Sequence, residues 1–154
     1  MGKSNAVILI LFVVLTLAGG SLVGYVSAPG PWYQTLEKPW YNPPNWVFGP
    51  VWAVLYVMIG IAGARVFIHD RRGPLPKIWF VQIVLNYLWP LTFFTLQRPD
   101  LAIVILGGML VSIIAFIVLG WRRERPSALM FVPYALWASF AGLLNYAILS
   151  LNPA

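Results

Sequence analysis

Marking only the charged positions divides the chain into five long uncharged runs, residues 4–36, 39–64, 78–97, 101–121 and 126–154. Each is long enough to cross a hydrocarbon core, which takes about 20 apolar residues in a helix. Within the runs, stretches such as Ile103-Val104-Ile105-Leu106 and Ala115-Phe116-Ile117-Val118 show no polar–apolar alternation. A membrane β-barrel would need alternation in segments of roughly ten residues. The pattern therefore predicts an all-α integral membrane protein, a five-transmembrane-helix bundle. The expected spans are 6–26, 46–68, 78–96, 101–121 and 127–149, forming a single membrane domain over 1–154.

Composition supports this reading. The chain has 154 residues, 60% hydrophobic and 9% charged, against roughly 25% charged in a soluble domain. With no cysteine, disulfides, thiolate catalysis and Cys-based metal sites are excluded. The net charge of +6 does not point to nucleic acid, because the basic residues cluster between the apolar runs. Lys3, Arg65, Arg71, Arg72, Lys77, Arg122, Arg123 and Arg125 fall on one side of the expected bundle, and only Lys38 and Arg98 on the other. In a cytoplasmic membrane this bias places the N-terminus inside and the C-terminus outside.

The first span also resembles a signal peptide, with Lys3, an apolar core and Val26-Ser27-Ala28 as a small-residue cleavage site. Ala6–Val26 is 21 residues, longer than the roughly 7–15 of a signal core, so a retained helix is expected. Gly20 and Gly24 are spaced for close helix approach, either inside one protomer or at a dimer interface.

The loop 27–45 differs in kind. Pro29–Pro50 holds six of the chain's 13 prolines, with Trp32, Tyr33, Trp40, Tyr41 and Trp46 among them. Proline fixes φ and pushes its predecessor toward extended backbone, so a stiff, mostly non-helical lid carrying aromatic rings is expected. Trp79 and Trp121, near span ends, read instead as interfacial belt residues.

None of the 14 charged residues falls in mid-span, which disfavours proton relays and most ion-coupled transport. His69 reads as a solvated interfacial residue, and one histidine cannot make a metal site. No catalytic acid–base pair or nucleophile motif is present. What the spans do hold is neutral polar and aromatic side chains at helical spacing: Gln82, Asn86, Trp89 and Phe93 in the third, Tyr134, Trp137, Ala141 and Asn145 in the fifth, Trp52 and Tyr56 in the second. A buried amide needs a partner, so Asn86 and Asn145 face either protein or ligand. Most of these residues lie in the halves of their helices beneath the loop. A ring-lined cavity under a stiff lid suits a flat, largely apolar ligand.

The block from Lys38-Pro39-Trp40-Tyr41-Asn42-Pro43-Pro44-Asn45-Trp46 to Trp52, with Leu55-Tyr56, resembles the signature of the translocator protein family. Its members are called tryptophan-rich sensory protein (TspO) in bacteria and peripheral-type benzodiazepine receptor in mitochondria. Trp32-Tyr33, the segment from Gln82 through Asn86, Trp89 and Phe93, and that from Pro133 through Trp137, Ala141 and Asn145 are similar to the same family, in the same order. The resemblance implies a bacterial multi-pass protein, usually a homodimer, that binds protoporphyrin IX, haem, sterols or synthetic benzodiazepine-type ligands and needs no cofactor. It also carries the ligand contacts onto Trp52, Tyr56, Asn86, Phe93, Trp137 and Ala141. Trp32, Trp40, Gln82, Trp89 and Asn145 complete the candidate set. The implied role is porphyrin binding in tetrapyrrole homeostasis and stress sensing, with light-dependent porphyrin degradation or a structural, partner-binding role as alternatives. Two departures bear on this. After Tyr146 no Lys or Arg follows, so the family's sterol pattern is incomplete and tight cholesterol binding is not expected. The fourth span lacks the aspartate common in the family, and reads as lipid-facing or packing surface.

Overall fold

The computed structural model describes residues 2–153. It contains five helical segments long and apolar enough to cross a membrane: α1 (Lys3–Val26), α3 (Asn45–His69), α4 (Leu75–Pro90) together with the helical turn that continues it to Thr95, α5 (Pro99–Arg123) and α6 (Arg125–Leu151), with a short α2 (Pro31–Thr35) between the first two. Among the described residues there is no strand. The helices run past the bounds expected from the sequence by three residues at the N-terminal ends of α1 and α4, two at both ends of α5 and α6 and one at both ends of α3, while α1 ends at Val26 as expected and the third span ends at Thr95, one residue short. The backbone stays helical into the polar flanks, where counting charges stops the span early.

Round the bundle the helices pack in the order α1, α3, α6, α5, α4, and α4 closes back onto α1. One residue, Glu124, joins α5 to α6, and the two helices approach closely there: a Cβ on Gly120 would lie 3.2 Å from that of Ala128. The core centres on Phe116 and Phe131, stacked at 3.9 Å, with Ile59, Met109, Ile113 and Tyr134 fully buried beside them. On α5 the buried positions are Ala102, Leu106, Met109, Ile113, Phe116 and Gly120. Their alternating steps of four and three make one packing stripe, and Val104, Val111 and Val118 lie exposed on the other side. The helix thus supplies both of the faces its sequence suggested.

The third span is not a uniform helix. Pro90 has no N–H to donate and its ring crowds the preceding turn, and the next five residues, Leu91–Thr95, form a π-helical turn of the kind that often marks functional sites. Leu96 N–H donates to the Leu91 carbonyl at 2.9 Å, and Gln97 then adopts a left-handed φ of 55°, ending the element.

Trp79 does more than sit at an interface. Its indole N–H donates to the Ile59 carbonyl at 2.9 Å, its ring packs against Phe12 at 5.2 Å, and it fills the space left by Gly63. Trp121 is 44% exposed, with the Arg125 guanidinium 4.8 Å from its ring.

The two ends of the bundle are fastened differently. At the basic end, buried Glu124 accepts from Arg65 Nε at 2.8 Å, His69 Nδ1 lies 3.7 Å away, and Arg123 pairs with Asp70 at 3.1 Å. At the loop end, Asn152 accepts from the Glu37 N–H and donates to the Glu37 carbonyl, both at 2.9 Å. That reciprocal pair clips the loop to the end of α6.

Candidate functional site

Under the loop lies a cavity of about 440 Å³, within the 300–1,000 Å³ typical of small-molecule sites. Its walls come from α1, the loop, α3, α4, the π turn and α6; α5 contributes nothing. Phe48, Trp52 and Tyr56 recur at steps of four along one face of α3 and all border it. Trp52 stacks on Tyr56 at 5.6 Å and 28° and approaches Trp89 at 6.3 Å. Phe93 and Phe94 both face the cavity from the π turn. Tyr33, on the one-turn helix that begins at Pro31, closes the roof edge-on to them at 6.3 and 5.2 Å.

The phenol that closes the roof is neutral. Burial pushes the Tyr33 phenol above its ordinary 10.0, and a hydrogen bond from Asn42 pulls the other way. Lys38 lies 4.6 Å from the centre of the same ring with its ammonium donating to the Leu36 carbonyl at 3.0 Å. Among the described residues no charged side chain borders the cavity.

The floor is a hydrogen-bonded chain. Tyr56 donates to Asn86 Oδ1 at 2.8 Å, Asn86 Nδ2 to the Tyr134 oxygen at 2.7 Å, and Tyr134 to Gln82 Oε1 at 2.9 Å. Separately, Trp89 donates to Asn145 Oδ1 at 3.1 Å, and Asn145 Nδ2 donates to the Pro99 carbonyl at 2.9 Å. Both amides therefore join helices and border the cavity at once. A buried amide left unpaired would cost about 1–3 kcal/mol, and the fold avoids that by pairing each with a neighbouring helix. With oxygen and nitrogen already engaged, what these residues present to the cavity is chiefly apolar surface and ring faces.

Seven of the residues singled out from the sequence come together as lining: Trp52, Tyr56, Asn86, Trp89, Phe93, Ala141 and Asn145. The other four do not border the cavity. Trp32 stands behind Phe93, edge-on at 6.0 Å. Gln82 is wholly buried at the far end of the floor chain. Trp137 backs Phe48 at 5.8 Å, one layer outside the wall. Trp40 is 95% exposed, its ring edge-on to Tyr41 at 5.5 Å; proline-rich loops display aromatics without fixing which face turns inward. Sequence reasoning missed Tyr33 and Phe48 as lining, though Phe48 extends the Trp52–Tyr56 spacing by one turn. It also missed the α1 wall, where small residues carry no chemical signal. Of the two glycines singled out in α1, Gly20 is used inside the chain, since a Cβ there would collide with the Tyr56 ring, whereas Gly24 borders the cavity and is exposed.

Comparison with known proteins matches this architecture. The TspO/MBR family model covers residues 12–151. The chain is 38% identical to Protein CrtK of Rhodobacter capsulatus over 94% of its own length and 91% of that protein's. It is 36% identical to Tryptophan-rich protein TspO of Archaeoglobus fulgidus, over 96% and 99%, and 33% identical to Translocator protein of Bos taurus, over 88% and 84%. A match across nearly the whole chain, on a bundle with five candidate spans, leads to one conclusion: the chain belongs to the TspO/MBR family.

Proposed function

We propose that this membrane protein is a receptor- or transport-like binder of flat, apolar tetrapyrroles, with protoporphyrin IX the best-suited ligand. The observation that carries this reading is the charge-free cavity in which Trp52, Trp89, Phe93 and Tyr33 turn their rings toward one space. Aromatic faces stack on a planar macrocycle and add about 0.5–1.5 kcal/mol per pair beyond area burial. Among the described residues the lining includes no His, Cys or Met, so haem would be held by its faces and edges rather than through its iron. A ligand with acidic side groups would keep them toward the polar mouth near Asn42 and Asn45, since no cation awaits them inside. Names of relatives such as the tryptophan-rich sensory protein of Cereibacter sphaeroides and the bovine translocator protein accord with sensing or transport.

Titrating protoporphyrin IX into the purified protein while recording tryptophan fluorescence tests the proposal. Energy transfer from Trp52 and Trp89 to a porphyrin in the cavity predicts saturable quenching. Folded protein that shows none would refute the reading.

A further inference from the structure

The walls of the cavity are unequal. Tyr56, Asn86, Trp89, Phe93 and Ala141 border it and are buried. Ser21 and Gly24 on α1, with Gly49 and Ala53 on α3, also border it yet are exposed. A Cβ at Gly24 or Gly49 would meet nothing within 4 Å. Between the loop-end halves of α1 and α3 the wall is thus a gap edged by small residues.

The surface around that gap belongs to lipid. Tyr25 and Trp46 are 84% and 75% exposed, amphipathic rings of the kind that settle at a membrane interface. Leu22 and Val54 beside them are exposed too. Ala53 lies seven residues beyond Trp46, which at 1.5 Å per residue sets it about 10 Å deeper along α3. The gap therefore runs from the interface into the hydrocarbon. The loop over the aromatic end, by contrast, is held down: Asn152 clips it at Glu37, and Tyr33 is 4% exposed over the cavity; the exposed residues Pro29 and Asn45 that also border the cavity flank the loop-end termini of α1 and α3, at the outer end of the same gap.

From this asymmetry we infer that the cavity's ligand passes in and out sideways, between α1 and α3, directly from the bilayer, while the loop stays closed. The inference rests on the cavity being the ligand site. It fits an apolar planar molecule, which partitions into lipid and would reach the opening at high local concentration. It also gives a role to the small residues at the edge, where larger side chains would narrow the passage without touching the aromatic floor.

The test uses the full chain in phosphatidylcholine vesicles, with protoporphyrin IX as probe. Loading is followed by tryptophan quenching on mixing with porphyrin-bearing vesicles, and release by dilution into excess empty ones. Gly24→Leu places a side chain in open space on a helical residue whose φ is not positive. It should slow loading and release together, each at least tenfold, whereas Asn152→Ala, which cuts the loop clip, should leave both within twofold. Slowing in both directions separates a narrowed passage from a lost contact, which would speed release. Ala53→Leu fills the gap from the opposite side and decides the matter should Gly24→Leu not fold. Wild-type rates in the folded gap variants, faster release from them, or a tenfold acceleration in Asn152→Ala would each overturn the lateral route while leaving the cavity reading intact. Wild-type protein without saturable quenching would remove both.

Discussion

At the scale of single residues, Ala141 shows how one methyl group can hold two jobs. It is 3% exposed, borders the cavity, and lies one turn from Trp137 and one turn from Asn145. Threonine there adds a branch where space is short, an overpacking that typically costs about 1–3 kcal/mol, and its hydroxyl can bond back to the Trp137 carbonyl. Ala141→Thr should lower both thermal stability and protoporphyrin IX affinity, measured on one sample; lowered stability with unchanged affinity would remove Ala141 from the binding surface. Tyr134 offers a complementary case. It borders no part of the cavity, but its hydroxyl joins Asn86 to Gln82. Tyr134→Phe keeps the ring on Phe131, 5.4 Å away, and leaves Asn86 Nδ2 and Gln82 Oε1 without their partner. A loss of about 1–3 kcal/mol follows from the stranded groups, read as a fall in midpoint temperature. An unchanged midpoint would mean that another group takes over both bonds. The stripe through Asn86 and Trp89 was legible in the sequence because amides and indoles in hydrocarbon need a reason to be there. Which partner satisfied them was not, since Tyr134 and Pro99 lie far off along the chain.

Among elements, the spans could be read from charge alone because the bilayer forbids charge in its core, a constraint stronger than any helix propensity. Finer features obey local rules that the bilayer does not impose. The one-turn helix carrying Tyr33 starts at Pro31, a residue suited to the first helical position, inside a loop whose other prolines break helices. The π turn after Pro90 depends on how the freed carbonyls find new partners, which pattern cannot reveal. At Gly20 the consequence of spacing is sharper than the sequence alone could make it. Two uses of Gly20 and Gly24 were open, and the ring of Tyr56 occupies the place of any Cβ on Gly20. Thr16, one turn earlier, reinforces this seam by donating to the Tyr56 carbonyl at 2.9 Å. Gly20→Leu should therefore push α1 off α3 and displace Tyr56 from Asn86. The expected result is a loss of both heat stability and porphyrin binding, whereas a variant that keeps wild-type stability in a thermal scan would contradict this packing.

Over the whole molecule, the cavity and the ion cluster around buried Glu124 lie toward opposite ends of the same bundle. Arg65 lies nine residues beyond Tyr56, the last residue of α3 that borders the cavity, about 13 Å along the axis. Mutational effects at such separations usually add independently. Glu124 is 6% exposed and holds Arg65, with His69 Nδ1 at 3.7 Å; it is also the single residue between α5 and α6. Glu124→Ala leaves the Arg65 guanidinium without its carboxylate. Removing one partner of a fully buried pair costs about 3–5 kcal/mol, but the Arg65 side chain is 34% exposed, so water screens part of the loss and about 1–3 kcal/mol is the reasonable scale. Stability should fall by that amount, and protoporphyrin IX affinity of the folded protein should stay within twofold of wild type. The contrast with Ala141→Thr is then diagnostic: one substitution lowers stability alone, the other lowers stability and affinity together. Should Glu124→Ala weaken porphyrin binding as much as Ala141→Thr does, the two ends would be coupled through α3 and α6, and the bundle could not be treated as a rigid frame around an independent cavity.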